Sequence, residues 1–191
     1  MVRSGAVVVT AVCASGREVV LGLIAPGQAF GQASLADGRH RGTARAFGHS
    51  LIETVDVGRL ASRPGGTPPR DPAWARALAS RCDALEEWLA DLVLLDVPAR
   101  LARRLCALMG AFGRHRAEGI LIDLPVTQAQ LAALAGATRE SVNRALAGLA
   151  ADGAIQRVGR RYLVTDEAAL RCVAAETEDQ LSRLSLAPST R

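Results

Sequence analysis

The chain has 191 residues, of which 49% are apolar and only 3% aromatic, and 23 basic side chains against 19 acidic ones give a net charge of +4. That length allows one domain or two small ones, with cores built from Leu, Val and Ala, and the mild positive charge permits a polyanionic partner without requiring one. No apolar run nears the ~20 residues that span a bilayer, no secretory signal pattern surrounds residues 7–12, and Cys13, Cys82, Cys106 and Cys172 lie far apart with no CxxC or Cys/His pair, which argues for a cytoplasmic chain without a metal site or disulfide framework.

The first sixty residues read as β structure. Residues 6–12 and 18–24 are β-branched runs around Ala14-Ser15-Gly16, a hairpin signal, and Pro26-Gly27 marks another turn. Residues 43–46 and 51–57 are expected strands on either side of Gly48-His49-Ser50. The run RPGGTPP at 63–69 is a linker by composition. A long helix then starts at Asp71 or Pro72 and runs to about Leu95. Leu78, Leu85 and Leu92 recur every seventh residue, with Trp74, Arg81, Trp88 and Leu95 at the positions between, the pattern of a coiled-coil seam that calls for a partner helix.

Asp96 is placed to cap the next helix, with Pro98 in its first turn. That helix is expected from 97 to about 116, with Leu101, Leu105 and Leu108 inward, followed by a short strand at 120–124. Thr127 then caps a short helix with Leu131 and Leu134 on its apolar side, and Gly136 sits where the chain must turn sharply. Thr138 caps a second helix in which Val142, Leu146 and Leu149 share a buried face. Arg139, Glu140, Asn143 and Arg144 are left on its other faces, near its N-terminal end. Gly153 breaks the pattern, and runs at 155–158 and 161–164 joined through Gly159-Arg160 form a hairpin carrying Arg157, Arg160 and Arg161. Residues 166–184 read as a last helix and 187–191 as a disordered tail.

The run TQAQLAALAGATRESVNRALAGLAADGAIQRVGRRYLV resembles the winged helix-turn-helix of the Crp/Fnr transcription regulators. Thr127, Gly136, the Thr-Arg-Glu-Ser of 138–141, Arg144 and the Asp152-Gly153 corner fall at that family's spacing. Upstream, GREVVLGLIAPGQAFGQASL is similar to the family's cyclic-nucleotide-binding β-roll. The resemblance implies an α+β chain: a partial β-roll sensor domain with linker (1–70), a long dimerisation helix (71–96), a winged helix-turn-helix (97–170), and a C-terminal helix and tail (171–191). It begins late, because residues 1–5 match the middle of the roll, where a strand leads into a glycine turn. With roughly thirty residues of the family pattern unmatched, either the true start lies upstream of Met1 or the roll is reduced, in which case it is expected to lack strands and to expose an edge.

The function so implied is that of a sequence-specific DNA-binding transcription regulator, not an enzyme, acting as a homodimer on an inverted repeat. Its partners would be double-stranded DNA, a second copy of itself and RNA polymerase. By resemblance Arg139, Glu140 and Arg144 are the base readers. An arginine fork fits guanine O6 and N7, and a glutamate accepts from cytosine N4. Thr127, Thr138 and Ser141, with short hydroxyls near helix starts, suit phosphate contacts. Arg160 and Arg161 on the wing would add sequence-blind, salt-sensitive attraction. The dimer contacts would come from Trp74, Leu78, Leu85, Trp88, Leu92 and Leu95.

The effector pocket implied by the resemblance comprises Gly31, Gln32, His40 and Arg41. Nucleotide-binding members carry Gly-Glu near the start of this cassette and Arg-Ser near its end. Here Gly31 is kept, Gln32 replaces the glutamate with a weaker acceptor, and a shorter loop puts His40 and Arg41 near the Arg-Ser positions. Leu85-Glu86 stands where cyclic-AMP-responsive relatives have the Thr-Ser pair that meets adenine. The expectation is therefore regulation without cyclic nucleotide and without any cofactor or metal. Two other readings stand beside it: a cyclic-nucleotide-responsive regulator, and a haem or redox sensor module using His40, His49 or a cysteine. No nucleophile–base pair or phosphate loop supports an enzyme.

Overall fold

A computed structural model describes residues 1–12, 18–32, 34, 38–40, 42–54 and 72–175. The expected turn at 14–16, Arg41, the linker at 63–69 and the end of the last expected helix, 176–184, lie outside the described residues. The chain divides into two compact units, Met1–Leu89 and Ala90–Arg191, and the boundary falls inside a helix.

In the first unit β1 (Val2–Val12), β2 (Glu18–Ile24) and β3 (Thr43–Ile52) form an antiparallel sheet in the order β2-β1-β3. Val2, Val7 and Ile24 make its core, and Val9 and Phe30 pack against them. Two expectations fail in this sheet, and for one reason. Residues 1–5 do not lead into a turn, and residues 48–50 do not separate two strands, because both stretches are parts of continuous strands. Ser4 pairs with Leu51 and Ala6 with Phe47, so the chain around Gly48-His49-Ser50 bulges opposite Gly5. Both glycines have positive φ, and a Cβ at Gly5 would lie 2.2 Å from the His49 carbonyl oxygen. Ser50 Oγ closes the gap, accepting from the Ala6 N–H (3.1 Å) and donating to the Ala6 carbonyl (2.8 Å). Glycine in a β-branched context thus marks a bulge here, a reading as consistent with the letters as a turn.

Helix α1 (Pro72–Leu94) follows. Its Arg81 donates to the Leu21 carbonyl (2.7 Å), the residue left unopposed by a register shift between β1 and β2. Burial lowers the pKa of this guanidinium from its ordinary value.

The second unit is organised around α2 (Val97–Phe112). Asp96 caps it by accepting from the Ala99 N–H (2.9 Å), and Leu101, Leu105 and Leu108 are buried as their spacing predicts. The helix stops four residues sooner than expected. Gly113 turns out of it in extended backbone (φ -70, ψ 135), a path only glycine can take since a Cβ there would lie 2.3 Å from the Met109 carbonyl, and β4 (Gly113–Arg116) begins. The strand was missed because Gly-Arg-His-Arg has no β-branched residue; it is an exposed edge strand. β4, β5 (Gly119–Ile122), β7 (Arg161–Val164) and β6 (Ile155–Val158) form an antiparallel sheet in that order. Helices α3 (Gln128–Ala135), α4 (Arg139–Ala151) and α5 (Glu167–Ala175) pack on α2.

Candidate nucleic-acid interface

Local chemistry sets α3 and α4. Thr127 and Gln130 form a reciprocal capping box: the Thr127 hydroxyl accepts from the Gln130 N–H (3.2 Å), and Gln130 Oε1 accepts from the Thr127 N–H (2.9 Å). Gly136 ends α3 in the left-handed region (φ 60, ψ 41), and a Cβ there would fall 2.4 Å from Leu92 Cδ2. Two residues on, Thr138 caps α4 by accepting from the Ser141 N–H (3.2 Å). Val142, Ala145, Leu146 and Leu149 bury one face of α4, while Arg139, Glu140, Asn143 and Arg144 are exposed.

The arginines of this unit differ in what engages them. Arg100 donates to the carbonyls of Leu95 and Ala135, while Arg103 and Arg104 grip the buried carboxylate of Asp91, Arg103 at 2.7 Å. These are structural. By contrast, among the described residues no hydrogen bond or ion pair engages the side chains of Arg139, Glu140, Arg144 or Arg160. Glu140 and Arg144 stand at i and i+4, a spacing that favours pairing, yet they are not joined. Three cationic groups and one carboxylate are thus held by helix and hairpin backbone with their polar ends open.

The wing modifies the sequence-based assignment. The Val126 N–H donates to the Arg160 carbonyl (2.8 Å), fixing the hairpin turn beside the entry to α3 and so bringing Arg160 near Thr127. Arg161 is otherwise engaged. Its Nε lies 2.9 Å from Asp123, which also holds Arg114 at 2.7 Å. Neither Asp123 nor Arg114 was singled out by sequence. A carboxylate shortly before a cap, opposite an arginine-rich hairpin, was the available signal. The hydroxyls of Thr127 and Thr138 donate internally, to Gln130 Oε1 (2.9 Å) and Ser141 Oγ (3.0 Å), so what they offer an anion is mainly the helix-start N–H groups they position.

In the first unit Gly31 and His40 are neighbours, whereas the Gln32 amide turns back to donate to the Ala29 carbonyl (3.0 Å). Arg41 lies outside the described residues. On α1 the expected seam is partly corrected. Leu95 is only 5% exposed, Leu92 is half-buried beside Gly136, and Trp88 is half-buried. Leu95 therefore faces its own chain, as does Arg81 through Leu21. The outward apolar stripe is Leu78, Leu85, Leu89 and Val93, with Cys82 exposed between the leucines. The side chain of Trp74 lies outside the described residues.

A capped helix, a left-handed glycine turn, a second capped helix with open arginines and a β wing define a winged helix-turn-helix DNA-binding protein. Residues 99–173 match the family model described as the Crp-like helix-turn-helix domain. The CRP-like cAMP-activated global transcriptional regulator of Mycobacterium tuberculosis H37Rv is 32% identical over 167 residues, 87% of this chain and 75% of that protein. Among solved structures, TTHB099, a CRP-family transcriptional regulator from Thermus thermophilus, superposes with a TM-score of 0.78 at 27% identity, covering 91% of this chain and 86% of that one. The c-di-GMP-responsive global regulator CLP of Xanthomonas campestris superposes with a TM-score of 0.67 at 26% identity, over 86% and 83% of the two chains. The chain belongs to the Crp/Fnr family of transcription regulators and is a DNA-binding regulator, not an enzyme. Among the described residues no helix is long and apolar enough to cross a membrane.

Proposed function

We propose that two copies of the chain, joined along α1, read an inverted repeat in duplex DNA with Arg139, Glu140 and Arg144 at base edges. The observation that carries this is the freedom of those three side chains at the start of a capped helix whose opposite face is buried. An open arginine costs nothing to disengage before meeting guanine, and a bidentate contact is worth roughly 1–3 kcal/mol of discrimination. Ser141, Arg160 and the N–H groups set by Thr127 and Thr138 hold phosphates, and Arg161 contributes less because Asp123 neutralises it. Self-association is supported by the bare Leu78, Leu85 and Leu89, which with Cys82 follow the alternating three- and four-residue steps of a coiled coil. A regulator working on DNA and RNA polymerase acts in the cytoplasm.

Control without cyclic nucleotide is supported by Gln32, whose neutral amide stands where nucleotide-binding members carry a glutamate and is a weaker acceptor than a carboxylate. Relatives also differ in effector by their names, one cAMP-activated and one c-di-GMP-responsive, so membership does not carry an effector with it. In a gel-shift titration Arg139→Ala and Arg144→Ala each lose specific binding by about tenfold, as a bidentate contact worth roughly 1–3 kcal/mol implies; undiminished binding by both refutes the assignment. Calorimetry with cyclic AMP and cyclic GMP gives no heat, and saturable heat with either restores the nucleotide-responsive reading.

A further inference from the structure

Two charged side chains flank the outward stripe of α1, and neither has a counter-ion in its own chain among the described residues. On that stripe Leu78 and Leu85 take the d positions of a heptad and Cys82 and Leu89 the a positions, since a to d is a step of three and d to a a step of four. The same frame puts Arg81 and Trp88 at position g, on one side of the stripe, and Glu86 and Val93 at position e, on the other. Arg81 is half-buried. Its guanidinium lies against Gly22, where a Cβ would collide with it, and donates to the Leu21 carbonyl (2.7 Å). Burial alone lowers its pKa, with no carboxylate to oppose the shift. Three and four residues away on the helix stand Ala77, Leu78, Ala84 and Leu85, so no acidic neighbour is in reach. Glu86 is exposed, and its neighbours at those spacings are Cys82, Asp83, Leu89 and Ala90, none of them basic. Five residues apart, Arg81 and Glu86 lie on different sides of one helix and do not meet.

A parallel pair of helices brings the two together, because g on one helix lies beside the e position five residues further along the other. We propose that Arg81 bonds the carboxylate of the partner's Glu86, twice over by symmetry, and that this reciprocal ion pair makes α1 select a second copy of its own chain in parallel register. The next pair in the series agrees in kind. Trp88, half-buried, falls beside the partner's Val93, which covers a side chain that is 74% exposed in the single chain. An antiparallel pair sets g beside g and e beside e. It would offer Arg81 only Trp74, Arg81, Trp88 or Leu95, none of them acidic. The Leu21 carbonyl contributes by holding the guanidinium at the flank of the seam beforehand, so less side-chain freedom is lost when the pair forms. The sheet of each copy is thereby tied to the helix of the other. This rests on the reading of α1 as the helix of self-association and adds the residues that choose the partner.

The test uses the full chain and two charge reversals. Glu86→Arg alters an exposed side chain, and sedimentation equilibrium reads its self-association. The expected result is a dimer dissociation constant raised by about tenfold at low salt, since an exposed pair is worth little singly but attraction becomes repulsion at both copies of it. The difference from wild type shrinks at high salt, as screening requires. Arg81→Glu is then mixed with Glu86→Arg, one of them carrying a mass tag, and native mass spectrometry counts the species. Each variant alone sets like charges together, whereas a dimer of one with the other has two opposite pairs, so the mixed dimer is expected to exceed its share by chance. Wild-type self-association by Glu86→Arg, or mixing at the chance level, overturns the proposal. Arg81→Glu gives up the Leu21 bond, and thermal unfolding checks that it is folded; if it is not, the readout of Glu86→Arg decides alone. Leu89→Arg, run alongside, separates the two readings. A monomer there with Glu86→Arg like wild type keeps the α1 seam and removes only the ion pair, while a wild-type chain that is itself monomeric removes both.

Discussion

At the scale of single residues, the partner of each arginine decides what it can do. Asp123 lies between Arg114 and Arg161 and leaves the trio with one net positive charge. Removing the carboxylate should release both cations toward solvent. Asp123→Ala is therefore expected to bind non-specific duplex more tightly than wild type, with a salt slope steeper by up to about 1 per protomer. Stability should change by less than ~1 kcal/mol, because both arginine side chains are largely exposed. Binding competition across a salt series checks the first part and denaturant melts the second. Asp91 is the opposite case. It is 3% exposed and held by Arg103 and Arg104, while Arg103 Nε also donates to the Ala174 carbonyl (2.9 Å). Asp91→Ala removes the buried carboxylate that both arginines grip. A loss of about 3 kcal/mol is expected in urea melts, at the low end of the buried-pair range because the arginines are partly exposed.

At the scale of elements, the helix-turn-helix was legible in the sequence because its determinants are local. Thr127, Gly136 and Thr138 act on N–H groups within a few residues, and the burial of Val142, Leu146 and Leu149 follows from helical spacing alone. The caps and the turn also differ in what they contribute. Thr138→Ala should cost about 1 kcal/mol, the usual loss of a side-chain cap. Gly136→Ala should cost more, because the left-handed backbone alone is worth about 1–2 kcal/mol against a Cβ, and that Cβ would also strike Leu92. Equal melting temperatures for the two variants would contradict this ranking. Elements set by distant partners were not legible. β4 exists because Gly113 leaves α2 and its four residues find β5, although nothing in Gly-Arg-His-Arg favours a strand. The bulge at Gly5 needs Ser50 from the other end of the sheet.

At the scale of the whole molecule, the same limit applies to the seam of α1. Sequence shows that the helix is apolar on one side, and a seven-residue repeat admits more than one pair of columns. The column that turns inward is chosen by contacts far along the chain: Arg81 to Leu21, Leu92 to Gly136, Leu95 into its own unit. What they leave outward is Leu78, Leu85 and Leu89, the last 61% exposed. Leu89→Arg should shift the sedimentation profile toward monomer without changing the melting of the winged unit, whereas Leu95→Ala should destabilise that unit by about 2–5 kcal/mol. The N-terminal sheet is less constrained by the reading of function: its sequence resembles a nucleotide pocket, but the group that would accept from a ribose is a neutral amide in place of a carboxylate.

The central claim is that open side chains at the start of α4, doubled by a second copy, read paired half-sites. It is tested most directly by enriching a pool of random duplexes on the full chain and sequencing what is retained, for wild type and for Arg144→Ala. The account predicts an inverted repeat with half-sites about one helical turn apart or a multiple of it, and a guanine preference lost at one position of each half-site in the variant. Retention of a single unrepeated site, or a variant preference identical to wild type, would contradict it.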